Sequence, residues 1–211
     1  MISNYIKWFK CRLKNDHFWI SEHKGKQLLD IGCSTGRFLE LDKHNWVGID
    51  INKKTVKECL DKGLMVIEGS ATNIYFENES FDVILSSHLI EHLNSEDAYK
   101  HLKEIERLLR PNGLLILASP MPSIIHNPNF WGTFTHIKPY PPTSIKKIIG
   151  NIGGGETFNR NFNLVIEDTF YMACFPQLSV IGKPAFVILT FLSNIFPNIF
   201  SGQYIMKVRK Q

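Results

Sequence analysis

Residues 27–40 run Gln27-Leu28-Leu29-Asp30-Ile31-Gly32-Cys33-Ser34-Thr35-Gly36-Arg37-Phe38-Leu39-Glu40, and the fold turns on how they are read. Leu28, Leu29 and Ile31 make a short apolar run, as a strand buried on both faces of a parallel sheet requires. Gly32 and Gly36 bracket a turn, and Arg37-Phe38-Leu39-Glu40 reads as the start of a helix. A strand that turns through glycines into a helix is a platform for a nucleotide cofactor. Gly32 has no Cβ, so backbone and ligand can approach closely there. The N–H groups of the helix start are available to donate to the ligand.

The glycine spacing sorts the cofactors. A dinucleotide fingerprint is G-x-G-x-x-G. Here Cys33, Ser34 and Thr35 separate the two glycines, and Asp30 stands two residues before the first. No G-K-[S/T] follows, which removes a P-loop. The pattern resembles the first motif of class I S-adenosylmethionine (SAM) dependent methyltransferases, acid-x-Gly-x-Gly-x-Gly. Ser34 replaces the middle glycine, a departure that a small residue fits. The resemblance implies that Asp30, Gly32, Cys33, Ser34 and Gly36 bind SAM.

Composition sets the frame. A chain of 211 residues, 44% hydrophobic and 21% charged, suits one soluble domain with modest additions. A net charge of +4 without a long Lys/Arg block does not suggest a nucleic-acid partner. Cys11, Cys33, Cys59 and Cys174 show no C-x-x-C and no zinc spacing, so no metal ligand set is read. They read as free thiols of a cytoplasmic protein. Lys7, Lys10, Arg12 and Lys14 break Met1–Lys14, which does not read as a signal peptide.

Residues 1–25 carry Ile2, Tyr5, Ile6, Phe9 and Leu13 at near-helical spacing. They read first as a helical cover over the sheet or the cleft. The alternative is a basic amphipathic segment resting peripherally on a membrane. The methyltransferase domain then takes residues 26–211.

Trp46-Val47-Gly48-Ile49-Asp50 is a second strand ending in an acid. Asp50, with Ile51 beside it, lies near the offset of roughly 20 residues at which a carboxylate meets ribose hydroxyls. Asn52 leads into a helix to about Lys62, with Val56 and Leu60 inward. Leu64–Glu68 is a third strand. In the resembled family the turn after it often carries an acid that meets the adenine amino group; Ser70 and Ala71 stand there and are carried over.

Ser80–His88 is a fourth strand. Phe81-Asp82-Val83-Ile84-Leu85-Ser86-Ser87-His88-Leu89-Ile90-Glu91-His92-Leu93 is similar to the fourth motif of small-molecule methyltransferases related to those of quinone biosynthesis. Ser87, His88 and His92 then lie beyond a strand's carboxyl end, where open α/β sheets bind ligands. Methyltransferases of base or glutamine amines carry an acid- or Asn-Pro-Pro-aromatic turn at this place, which Ser-Ser-His-Leu does not match. Asn94 caps a helix from Ser95 to about Arg110, and Pro111-Asn112-Gly113 ends it before a fifth strand, Leu114–Ala118.

Residues 119–142 hold six prolines interleaved with Phe130, Trp131, Phe134 and Tyr140 and with His126, His136 and Lys138. Such a stiff aromatic loop reads as a cover over the substrate. Thr135–Ile145 resembles a segment of cell-surface glycan and glycolipid methyltransferases. Thr143 or Ser144 is a cap for the helix that follows, and Gly153-Gly154-Gly155 ends it. Asn161–Cys174 and Gln203–Val208 read as strands. Residues 176–200 are largely apolar, and Ala185–Leu192 within them reads first as a buried helix, second as a membrane-dipping or partner-binding hairpin, last as a span.

Strand–helix alternation five times over gives an α/β, doubly wound parallel sheet; the resemblance implies a Rossmann-like, seven-stranded, mostly parallel sheet with an antiparallel last strand beside the fifth. The resemblance implies SAM as cofactor and a small-molecule or lipid-linked acceptor, a sugar, glycolipid or isoprenoid-type hydroxyl. Three histidines are candidate bases, His136 favoured over His88 and His92 because the loop carries it. Two other readings stay open: an NAD-binding oxidoreductase, and a catalytically silent adaptor that keeps the fold.

Overall fold

The computed structural model describes residues 18–121, 129–150, 162–172, 192, 195 and 202–211. Seven strands form one sheet in the order β3-β2-β1-β4-β5-β7-β6. They are β1 (Leu28–Ile31), β2 (Trp46–Asp50), β3 (Val66–Glu68), β4 (Phe81–Ser87), β5 (Leu109–Pro120), β6 (Leu164–Met172) and β7 (Gln203–Lys210). The first five are mutually parallel; β7 runs antiparallel between β5 and β6. Strand order reverses direction between β1 and β4, so the crevice of the fold opens there.

Period-two alternation divides the core. Leu29, Ile31 and Ile84 face one side of the sheet, with Leu102, Ile105 and Leu108 of the helix over residues 95–108. Leu28, Val83 and Leu85 face the other, with Trp46, Val56, Cys59 and Ile20. Tyr204, Met206 and Val208 pack together on the first side, as the alternation in β7 predicts, while Ile205 takes the second. Each fully buried side chain of this size contributes about 1.5–3 kcal/mol.

The helices are α1 (Phe18–Ser21), α2 (Lys53–Asp61), α3 (Ser95–Leu108), α4 (Asn129–Gly132) and α5 (Pro142–Ile148). Asn94 caps α3 by accepting from the N–H groups of Glu96 and Asp97. Asn52 caps α2 through Lys54 N–H. In α2 the inward residues are Val56 and Cys59; Leu60, expected inward, is 53% exposed. Neither Thr143 nor Ser144 caps α5: Pro141 is the cap residue and Pro142, with no N–H to satisfy, begins the helix. β5 follows α3 directly, and Pro111–Gly113 lies within it as an irregularity in which Asn112 takes φ +62°.

The largest departure is the link from β1 to β2. The expected helix from Arg37 is a single 3₁₀ turn, Leu39–Leu41. Gly32–Gly36 forms the turn at one end of this link. At the other, Asp42 is pinned by Gly25 N–H at 2.7 Å and by the Asn45 amide at 3.0 Å. Too few residues remain between for a helix. The link from β3 to β4 also has no helix. Arg107 of α3 holds it, donating to the carbonyls of Phe76 and Ile74 at 2.7 Å each while pairing with Glu104.

Of the N-terminal cover, α1 places Ile20 in the core; residues 1–17 lie outside the described residues. So do residues 122–128 of the proline-rich loop, Gly153-Gly154-Gly155, and the apolar segment 176–200 apart from Leu192 and Ile195. Among the described residues no helix is long and apolar enough to cross a membrane.

Candidate active site

A cleft of about 250 Å³ opens at the switch point. Its floor is Asp30 of β1, with Gly32, Cys33, Ser34 and Thr35 following; Arg37 and Phe38 close one side, and Ser87 and His88 at the end of β4 the other. Thr35, Arg37 and Phe38 were not singled out in the sequence, although they flank Gly36 in the same loop.

The loop's glycines are needed for conformation and packing. Gly32 and Gly36 take φ +76° and +74°, a region other residues enter at a cost. A Cβ on Gly32 would meet the Leu89 side chain at 3.2 Å, and one on Gly36 would meet Leu64 at 2.5 Å. The space beside Gly32 is therefore taken by Leu89, not left for a ligand. Ser34, at the middle-glycine position, also lies at positive φ, +48°. Its N–H donates to Asp50 Oδ2 at 2.8 Å. Asp50 Oδ1 accepts from Asn52 N–H at 2.8 Å. The carboxylate that closes β2 thus shapes the loop itself, and Ile51 beside it is 75% exposed.

Asp30 is buried at 2% exposure, and its Oδ2 has no hydrogen-bond partner among the described residues. Burial, with the Asp50 charge in support and Arg37 in opposition, pushes its carboxyl up to about 7. Burial and the neighbouring Asp30 charge likewise push the Cys33 thiol far up, so it is no nucleophile. Ser70 and Ala71 are half-buried in the turn after β3. Ser70 Oγ lies 2.9 Å from Thr72 Oγ1.

A residue the sequence reading passed over supports that turn. His101 of α3 is fully buried; its Nδ1 lies 3.1 Å from the Ala71 carbonyl and its Nε2 3.0 Å from Ser86 Oγ. A carbonyl oxygen only accepts, so Nδ1 carries the proton and Nε2 accepts from the serine. Burial brings its pKa down to about 4, which keeps it neutral.

The three candidate bases are not equivalent. His88, at φ +55°, lines the cleft, with Nδ1 3.4 Å from Oε1 of the buried Glu91. His92 and His136 stack edge to face, centroids 4.9 Å apart, and are not among the residues lining the cleft. Segment 133–141 packs on the turn Ile90–His92: Ile137 N–H and Lys138 N–H both donate to the Glu91 carbonyl.

A sheet ordered 3-2-1-4-5-7-6 with a glycine loop at its switch point has the fold of class I SAM-dependent methyltransferases. The solved structure of a SAM-dependent methyltransferase from Archaeoglobus fulgidus shares that fold, at a TM-score of 0.68 and 24% identity over 97% of this chain and 94% of its own. Residues 29–117 match the family model described as a methyltransferase domain. It is 30% identical over 117 residues to a tRNA (carboxymethyluridine(34)-5-O)-methyltransferase of Arabidopsis thaliana, covering 54% of this chain and 28% of that one. It is 34% identical over 114 residues to phthiotriol/phenolphthiotriol dimycocerosates methyltransferase 1 of Mycobacterium ulcerans, covering 48% and 40%. The chain thus spans well under half the length of these relatives.

Proposed function

We propose that this protein transfers a methyl group from SAM to a hydroxyl of a small or lipid-linked molecule. The observation that carries the cofactor reading is Asp30, a buried carboxylate lining the cleft, one of whose oxygens has no partner among the described residues. Such a group calls for a cation. SAM brings a sulfonium and an ammonium; NAD brings a pyrophosphate that the same carboxylate repels. An adaptor with no ligand has no use for the unpaired acid.

In this reading Asp30 and the loop Gly32–Gly36, with Cys33 and Ser34 in it, hold the donor. Asp50 and Ile51 receive the ribose, and Ser70 and Ala71 receive the adenine. Ser87 and His88 face the acceptor. SAM would supply an electrophilic methyl carbon and a neutral thioether leaving group, and His88 would take the proton of the acceptor hydroxyl. Alignment supplies most of the acceleration, about 7–11 kcal/mol for well-held reactants.

An apolar acceptor is supported by segment 133–141, where Phe134 is fully exposed and Ile137 58% exposed. The mycobacterial relative is named for dimycocerosate acceptors, the plant relative for a tRNA. The buried free thiols Cys33 and Cys59 fit a cytoplasmic setting, with any membrane contact peripheral.

Calorimetric titration with SAM, S-adenosylhomocysteine and NAD tests the cofactor, and binding of NAD alone sinks the proposal. Transfer of labelled methyl to extracted lipids or to tRNA then separates the acceptors. His88→Ala is expected to lower kcat by about 10²–10⁴ with SAM affinity retained; unchanged turnover removes His88 as the base.

A further inference from the structure

Beyond the C-terminal end of β4, Glu91, His92 and His136 stand together, and neither histidine has a part in the cleft. Glu91 and His92 belong to the 3₁₀ turn, His136 to the segment packed upon it. One ligand atom from each lies within 4.8 Å of the other two.

Proton placement follows from the partners. His92 Nδ1 is 2.9 Å from the Thr135 carbonyl, and His136 Nδ1 is 2.8 Å from that of Phe130. Both Nδ1 atoms must therefore carry hydrogen, and in the neutral rings both Nε2 atoms hold a lone pair. A ring fixed by an N–H to a backbone carbonyl is the usual support of a metal-ligating histidine. Glu91 supplies an independent sign. Its side chain is wholly buried, Oε2 accepts from Ser119 Oγ at 3.1 Å, and Oε1 has no hydrogen-bond partner among the described residues. His88 Nδ1 lies 3.4 Å from Oε1 without hydrogen-bond geometry, so this buried oxygen keeps lone pairs that a cation would take up.

We propose that Glu91, His92 and His136 bind a divalent first-row transition ion, through the carboxylate and the two Nε2 atoms. Two imidazoles and one carboxylate suit zinc and its neighbours; magnesium and calcium prefer all-oxygen sites. Three protein ligands leave a coordination position for water. The ion would also fasten segment 133–141 to the end of β4. Binding requires no methyl transfer, so this site stands or falls separately from the cofactor reading.

The test uses the full chain, stripped with chelator and titrated with Zn²⁺ by calorimetry and with Co²⁺ by visible absorption. One ion per chain is expected, with cobalt ligand-field bands. His92→Ala and His136→Ala are each expected to weaken binding at least tenfold, while His44→Ala, an exposed histidine of the β1–β2 link, leaves it unchanged. Glu91→Gln should weaken it too, but burial puts its folding at risk, so the two histidine variants decide. Absence of a stoichiometric ion, or wild-type affinity in either variant, overturns the site.

Discussion

Ser34 N–H and Asp50 Oδ2 are 2.8 Å apart, so the middle of the glycine loop is tied to the end of the adjacent strand. This carboxylate shapes the loop and, in the function proposed above, receives the ribose.

Ser34 at φ +48° carries a cost of about 1–3 kcal/mol that glycine avoids, set against about 0.5–1 kcal/mol of extra chain entropy. Ser34→Gly is therefore expected to stabilise the protein by about 1 kcal/mol. Thermal unfolding should show a rise in Tm of about 2–4 °C. A fall in Tm would mean that the hydroxyl has a role the backbone does not reveal.

Asp50→Asn keeps the shape and removes the charge that Ser34 N–H and Asn52 N–H face. Hydrogen bonds to charged groups are worth about 1.5–3 kcal/mol. SAM affinity is expected to fall about tenfold or more, and Asp50→Ala should cost further. Calorimetry that finds both variants at wild-type affinity removes Asp50 from the cofactor site.

Asp30 makes affinity depend on pH. Its carboxyl is raised to about 7 in the free protein, and a cationic ligand favours the ionised form. SAM binding should therefore strengthen as pH rises toward 7, by up to about tenfold per unit, and level off above. Stability of the free protein moves the opposite way. The folded pKa lies above the unfolded one, so this residue's contribution is complete near pH 4 and lost as pH rises through 7. Asp30→Asn should bind SAM weakly with a flat pH profile, and at pH 8 should melt above wild type.

His101 gives the reverse dependence at lower pH. Its folded pKa, about 4, lies below the ordinary 6.5. Its contribution is complete above 6.5 and lost as pH falls through 4, about 3 kcal/mol in all. His101→Gln should flatten the fall in stability between pH 6.5 and 4, read as a difference from wild type because His23 is also lowered to about 4. An unaltered slope would mean that His101 does not titrate as buried.

The antiparallel insertion of β7 beside β5 is implied only by the family resemblance. The parallel strands, the Asn94 cap and the strand at β7 are legible because each rests on local pattern: apolar runs, a capping side chain, alternation. The helix after Gly36 is not, since Arg37-Phe38-Leu39-Glu40 has helical propensity but the chain to Trp46 is too short once Asp42 anchors its far end. His101 sits on an apolar helical stripe, and only the sheet brings Ser86 and Ala71 to its two nitrogens. His136 looked like the base because of the loop that bears it, yet that loop folds its ring onto His92. Asp30 was read as part of a motif; its unpartnered oxygen depends on burial that sequence does not state.

The missing helix after β1 also decides what meets an anionic end of the ligand. Among the described residues the glycine loop leads into a single 3₁₀ turn rather than a helix, and the exposed Arg37 lines the cleft. A point charge in open water is screened over about 8 Å at physiological ionic strength. Cofactor retention in this protein is thus left to the surrounding electrolyte to modulate, weakening as salt is added.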